Sequence, residues 1–205
     1  MTTIQYRDAV PEDFTAIADL FINNMNLSVF TTATDDEALR QLATIFMAKD
    51  IHRANFMQVA QFNETVCGVI IGVTKQDAHK ALAFDDKPLI SQAKEMLRLS
   101  VQGRQVLNDL QVKDEISARR QDRDFDSELQ FFCVDANHRR HHIGGTLIQA
   151  FEDYLIAQGV ASYALHTDSL CTYQYYDNNG YQRVDQYLNP LNSQVEHYTY
   201  AKSLS

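Results

Sequence analysis

Apolar and polar residues alternate over residues 3–9, which predicts a short opening strand. Pro11 then opens a helix, where a missing N–H costs nothing. Phe14, Ile17, Ala18, Phe21 and Met25 follow at helical spacing and give that helix one apolar face. The stretch TDDE at residues 34–37 has the pattern of a capping box, and Leu39, Leu42, Ala43 and Phe46 continue from it as a second amphipathic helix. Two strand-like runs come next, FMQVAQF and TVCGVIIGVT. Only Asn63 and Glu64 separate them, so a tight hairpin is expected.

The pattern changes over residues 75–126. This stretch is polar, with helical spacing at Leu89, Ala93, Met96 and Leu97. Gly103 is expected to interrupt that helix before Val106, Leu107 and Leu110 resume it, and the charged run KDEISARRQDRD ends it. The whole reads as a helical insertion over about 76–126. It fits a lid, an oligomer interface or a surface decoration equally well.

After it the strand signal returns. ELQFFCV is β-favouring and aromatic, and reads as a buried strand. Leu147, Ile148, Phe151, Tyr154 and Leu155 give a helix face, and Gly159 ends that helix. ASYALHT reads as a strand, and LCTYQYYDNNGY as a short helix closed by Asn179 and Gly180. Two last strands, over residues 181–188 and 194–201, flank the turn NPLNS. Mixed order, with a strand–loop–helix–strand unit in the middle, predicts an α+β fold with a mixed sheet.

Bulk properties narrow the classes. At 205 residues and 45% hydrophobic, the chain suits one globular domain over 1–205 that carries the insertion. The net charge of −9 argues against nucleic acid and anionic membrane as partners and is compatible with a cationic amine. Cys67, Cys133 and Cys171 are odd in number and form no CxxC pair, so a disulfide framework is not expected and a reducing cytosol is the default. The start MTTIQYRDAVPEDF lacks the basic and apolar regions of a secretion signal, and no apolar run nears the ~20 residues of a membrane span. A cytoplasmic protein is expected, and a homodimer is compatible with it.

One stretch stands apart. DANHRRHHIGGTL, residues 135–147, packs His138, Arg139, Arg140, His141 and His142 into an otherwise acidic chain. A loop between a buried strand and a helix is a natural anion site, because the first N–H groups of the helix have no internal partner. Gly144 and Gly145 would let a phosphate approach them. A glycine pair also simply opens helices. A metal site is disfavoured, since adjacent histidines point apart and no carboxylate or cysteine sits at ligand spacing. No Gly-Lys-Ser/Thr follows, so this is not a Walker A loop.

VDANHRRHHIGGTLI resembles the acyl-CoA-binding segment of the GNAT superfamily of N-acetyltransferases. Arg139 fits the first position of that pattern and Gly144 the last; His142 stands where the family has its middle glycine. YYDNNGY resembles a later family segment, with Tyr176, Gly180 and Tyr181 in place. Ser169 stands where the family has an Asn that touches the cofactor. The order of elements also follows the family outside the insertion.

The resemblance implies a GNAT-like fold: a central mixed, mostly antiparallel sheet flanked by helices, with the helical insertion before the central strand. It implies transfer of an acetyl group from acetyl-CoA, without a metal, to a primary amine of a small molecule or peptide. Cys133 and Val134 would offer backbone groups to the pantetheine arm. Arg139, Arg140, His141, His142, Ile143, Gly144, Gly145 and Thr146 would cradle the diphosphate, and Ser169 would touch the cofactor. The ELQFFCV strand would splay from ASYALHT to admit the thioester. Tyr176 is the candidate general acid for the departing thiolate. Glu128 is the first candidate base, ahead of His166, Glu115 and Asp126. The alternative function is a CoA-binding sensor without transfer activity, which His142 in place of glycine would favour.

Overall fold

The structure is a computed structural model and describes residues 3–120 and 125–204. The tail of the charged run, residues 121–124, lies outside the described residues. Seven strands form one sheet: β1 Gln5–Asp8, β2 Phe56–Phe62, β3 Thr65–Thr74, β4 Ser127–Val134, β5 Ser162–Asp168, β6 Gln182–Leu188 and β7 Glu196–Ser203. Their spatial order is β1-β2-β3-β4-β5-β7-β6. Every neighbouring pair is antiparallel except β4 with β5. The sheet is therefore mixed and mostly antiparallel, with helices on both faces.

The helices are α1 Phe14–Asn24, α2 Asp36–Arg53, α3 Asp86–Arg98, α4 Val101–Arg120, α5 Ile143–Ala157 and α6 Gln174–Asp177. Alternation along β3 and β4 divides the core. Ile71, Phe131 and Cys133 pack with Phe21 of α1 and with Met47 and Ile51 of α2. Ile70 and Leu129 pack on the other face with Phe151 of α5, Tyr163 and Tyr200. A third cluster joins α2 to α3 and α4 through Leu42, Ile45, Ala93, Leu97 and Val106. The helices of residues 86–120 thus lie outside α2 as a further layer.

Several local expectations shift. Pro11 opens a 3-10 turn, Pro11–Asp13, that runs into α1. The cap of α2 is Asp35, not Thr34: its side chain accepts the Ala38 N–H at 2.9 Å. The last two strands begin one and two residues later than expected. Gly103 does not interrupt a helix. The break falls at Leu99 and Ser100, and Gly103 sits in the first turn of α4. A Cβ there would lie 2.1 Å from the Leu97 carbonyl oxygen, so the glycine lets α4 start hard against the end of α3. The hairpin is as expected, with Asn63 at φ 47 and Glu64 at φ 63. Gly159 ends α5 at φ 74, its N–H donating to Ile156 and that of Val160 to Leu155, the Schellman pair.

Candidate active site

The parallel contact between β4 and β5 is brief. Glu128 pairs with Ala164 and Leu129 with Leu165, and no further ladder pair joins the two strands. On its other side, β4 carries an irregularity: Phe131 opposes Ile71 and Leu129 opposes Gly72, so Gln130 is an extra residue. Such a bulge bends a strand and increases its local twist. The two central strands therefore part from Gln130 onward. Gln130 stands where they separate, and both polar atoms of its carboxamide are shut off from solvent with no hydrogen-bond partner among the described residues.

The loop after β4 lies against one lip of this opening. Asp135 accepts the Asn137 N–H at 2.9 Å and sits 3.2 Å from the His138 ring. Arg140 and His142 both take left-handed backbone conformations, at φ 66 and φ 59. His142 thus has the conformation that a glycine at its position would adopt most easily. No side chain caps α5 at its N-terminus. The leading N–H groups of Ile143, Gly144 and Gly145 have no partner within the helix.

The two glycines have different reasons. A Cβ on Gly144 would come within 3.0 Å of the Phe132 ring, so that residue is small to let α5 lie on β4. Nothing lies within 4 Å of a Cβ on Gly145. Ile143 is 1% exposed and contributes its side chain to the core. Thr146 donates its hydroxyl to the His142 carbonyl. Arg139 donates to the Val134 carbonyl at 3.3 Å, folding back along the strand end, while Arg140 and His141 are exposed.

Cys133 turns its thiol away from this mouth. Its Sγ lies 3.9 Å from the Leu20 carbonyl, and burial pushes the thiol up to about 12. Ser169 is engaged with β7: it donates its N–H to the Glu196 carbonyl at 2.9 Å, and its hydroxyl accepts the Glu196 N–H at 3.1 Å. Tyr176 lies on α6, half-buried, with its ring 5.1 Å from Tyr181 and 5.5 Å from Tyr200. Burial pushes its phenol well above the ordinary value, so it holds its proton at neutral pH.

Glu128 sits at the base of the opening, on the α2 face. Arg53 lies 3.4 Å from one carboxylate oxygen and His166 Nε2 lies 3.7 Å from the other. His166 is itself held at Nδ1, 3.1 Å from the Thr199 hydroxyl. The His166 ring is the main reason that Glu128 titrates below the usual range; burial opposes it and Arg53 adds to it. Of the other base candidates, exposed Glu115 accepts from Gln111 at 3.0 Å and Asp126 pairs with Lys75 at 3.3 Å.

Sequence reasoning missed two residues here. Asp50 falls on the α2 stripe of Ala43, Met47 and Ala54, all 1% exposed or less. Burial, with Glu128 nearby, pushes its carboxyl up to about 7 against the pull of Arg53. A carboxyl poised there can take a proton near neutral pH. A charged residue on an apolar stripe was the available signal. Gln130 gave none, because a bulge leaves no mark on hydrophobic alternation. Among the described residues, no group of three His, Cys, Asp or Glu side chains is placed to hold a metal ion, and no helix is long and apolar enough to cross a membrane.

The sequence profile of the Acetyltransferase (GNAT) family matches residues 106–178, from within α4 to the end of α6. The fold is the GNAT fold, and residues 106–178 match that family in sequence. Ard1 from Thermoplasma volcanium is similar in structure at a TM-score of 0.57 and 14% identity, with 98% of each chain covered. The PaiA N-acetyltransferase from Thermoplasma acidophilum, solved with coenzyme A, has a TM-score of 0.59 at 12% identity, covering 98% of this chain and 99% of that one. The ribosomal-protein-S18-alanine N-acetyltransferase from Escherichia coli has a TM-score of 0.54 at 12% identity, covering 99% and 95%. No curated protein matches the chain in sequence. The matched segment contains the opening between β4 and β5, the mouth of α5 and Tyr176.

Proposed function

We propose that this protein is an N-acetyltransferase that moves an acetyl group from acetyl-CoA to the primary amine of a small molecule or peptide. The observation that carries the reading is the parting of β4 from β5 after two ladder pairs, with the uncapped mouth of α5 following β4. The leading N–H groups of α5, with Arg139, Arg140, His141 and His142 around them, suit a diphosphate. Gly145 leaves open space there. The free β4 edge over Cys133 and Val134 suits the pantetheine arm. Ser169 lies at the end of β5, beside this gap.

Acetyl-CoA supplies the activated acyl group as a thioester. Tyr176 keeps its proton at neutral pH and gives it to the sulfur as the C–S bond breaks. Glu128 accepts the proton that the amine must lose, directly or through water, and Arg53 and His166 fix its orientation. Among proteins similar in structure, one is an aminoglycoside 6'-N-acetyltransferase and one a ribosomal-protein-S18-alanine N-acetyltransferase. The sensor alternative rests on His142 in place of glycine. The backbone accommodates that residue at φ 59 with α5 starting at the next position, which supports an intact grip on the carrier.

The test is Tyr176→Phe. Turnover, read as thiol release with a panel of amines, should fall by about a hundredfold or more, the usual scale of a general acid. Stabilisation of the protein by CoA in thermal unfolding should be retained. Unchanged turnover removes Tyr176 as the acid. CoA stabilisation without turnover of any amine by the wild type favours the sensor.

A further inference from the structure

Gln130 is a polar residue in an apolar stretch of β4. Its neighbours Leu129, Phe131 and Phe132 are apolar, and its own Oε1 and Nε2 are both buried without a partner. An orphaned buried polar group costs about 1–3 kcal/mol, whereas an apolar side chain of similar shape carries no such penalty. A group that arrives with a ligand can complete what the protein leaves open.

The chemistry of the missing partner follows from the carboxamide. Nε2 needs an acceptor and Oε1 needs a donor. An ammonium offers donors alone and would leave Nε2 orphaned. A carboxylate offers acceptors alone and would leave Oε1 orphaned. An amide offers one of each.

The bulge says which substrate brings that amide. Gln130 and Phe131 together oppose Ile71, and Ile71 and Phe131 belong to the core under α1 and α2. Glu128 meets Arg53 of α2 on that same face. The mouth of α5 lies against Phe132 and Val134, on the opposite face. We propose that Gln130 reads the acceptor, pairing with an amide unit next to the reacting amine, as in an amino-acid amide or the first peptide bond of a peptide. This rests on the acetyl-transfer reading and narrows its acceptor class.

The experiment compares L-alaninamide with L-alanine methyl ester as acceptors for the full chain with acetyl-CoA. The ester keeps the carbonyl and lacks the N–H that Oε1 requires. The wild type should favour the amide by at least about a hundredfold in kcat/KM, as sites built around a hydrogen bond do. Gln130→Leu and Gln130→Met should reduce that preference below about tenfold, mainly through acceptor KM. Both should keep acetyl-CoA affinity within about twofold and melt at or above the wild-type temperature.

Equal use of amide and ester by the wild type overturns the proposal and leaves acetyl transfer standing; buried water then completes Gln130. Loss of acetyl-CoA affinity in both variants, in step with activity, also overturns it and assigns Gln130 to the carrier. Should neither variant fold, the wild-type ratio alone decides. A wild type that binds CoA and acetylates neither compound sinks the acetyl-transfer reading and this proposal together.

Discussion

The carbonyl of His142 accepts both the backbone N–H and the hydroxyl of Thr146, each at 3.1 Å. The first turn of α5 is therefore tied to a residue held at φ 59, a conformation that costs an L-residue about 1–2 kcal/mol. His142→Gly relieves that strain and adds chain entropy to the unfolded state, so the gain is partial. A rise in stability of about 0.5–1 kcal/mol is expected in urea unfolding. The helix mouth survives the change, so CoA affinity should move by less than about tenfold, or 1.4 kcal/mol. A destabilised variant would mean that the imidazole, not the backbone, secures this turn.

Gly144 and Gly145 should part company on substitution. Gly144→Ala brings a methyl to 3.0 Å from the tip of the Phe132 ring, which must give by a few tenths of an ångström between α5 and β4. A loss of about 1–2 kcal/mol is expected, in line with overpacking. Gly145→Ala meets nothing within 4 Å in a helical position and should gain about 0.5–1 kcal/mol. Thermal melts of the two variants side by side check this. Equal effects would contradict the packing that separates them.

That contrast shows where the sequence was readable. Period marked α1, α2 and α5, composition marked β4, and the glycine pair marked the start of α5. What the pair could not show was its division of labour, which depends on Phe132 arriving from β4. Gly103 misled for the same reason: its smallness answers the Leu97 carbonyl, a contact set by how tightly α3 turns into α4. Tyr176 and Glu128 are candidates from motif and strand position alone. The brief β4–β5 contact was expected only through the family resemblance, while Asp50 and Gln130 became visible once α2 and the bulge were placed against the sheet. Long-range placement, not local propensity, decides such residues.

Asp50 makes stability depend on pH. Its carboxyl is pushed from 3.8 to about 7 in the folded protein, chiefly by burial. Between these values the folded state keeps a proton that the unfolded chain has lost, so this group lowers stability as pH rises from about 4 to about 7. Lys49, Arg53 and Glu128 are the charges that act on it. Asp50→Asn removes the penalty. The variant should match the wild type at pH 4 and exceed it at pH 8, by an amount on the order of 4 kcal/mol for the full shift. Urea midpoints at the two pH values test this. The same difference at both would mean that Asp50 titrates as in the unfolded chain.

Asp109 fastens α4 to the loop between α1 and α2. Only 4% exposed, it accepts from the Thr31 hydroxyl at 2.8 Å, the Thr32 N–H at 2.7 Å and the Thr32 hydroxyl at 3.0 Å. Gln105 donates to its other oxygen at 2.9 Å. These bonds hold its carboxyl below the usual range against the opposing effect of burial. Four residues further on, Lys113 donates to the Val29 carbonyl at 3.2 Å, so two consecutive turns of α4 grip the same loop. Asp109→Ala leaves the Thr31 hydroxyl and the Thr32 N–H without their acceptor, which should cost about 3 kcal/mol. Asp109→Asn keeps an acceptor oxygen and should cost less than half as much. If these helices only decorate the surface, acceptor KM should stay constant in both variants at temperatures where they remain folded. If the loop they hold borders the acceptor side, KM should rise in the alanine variant and recover in the asparagine one.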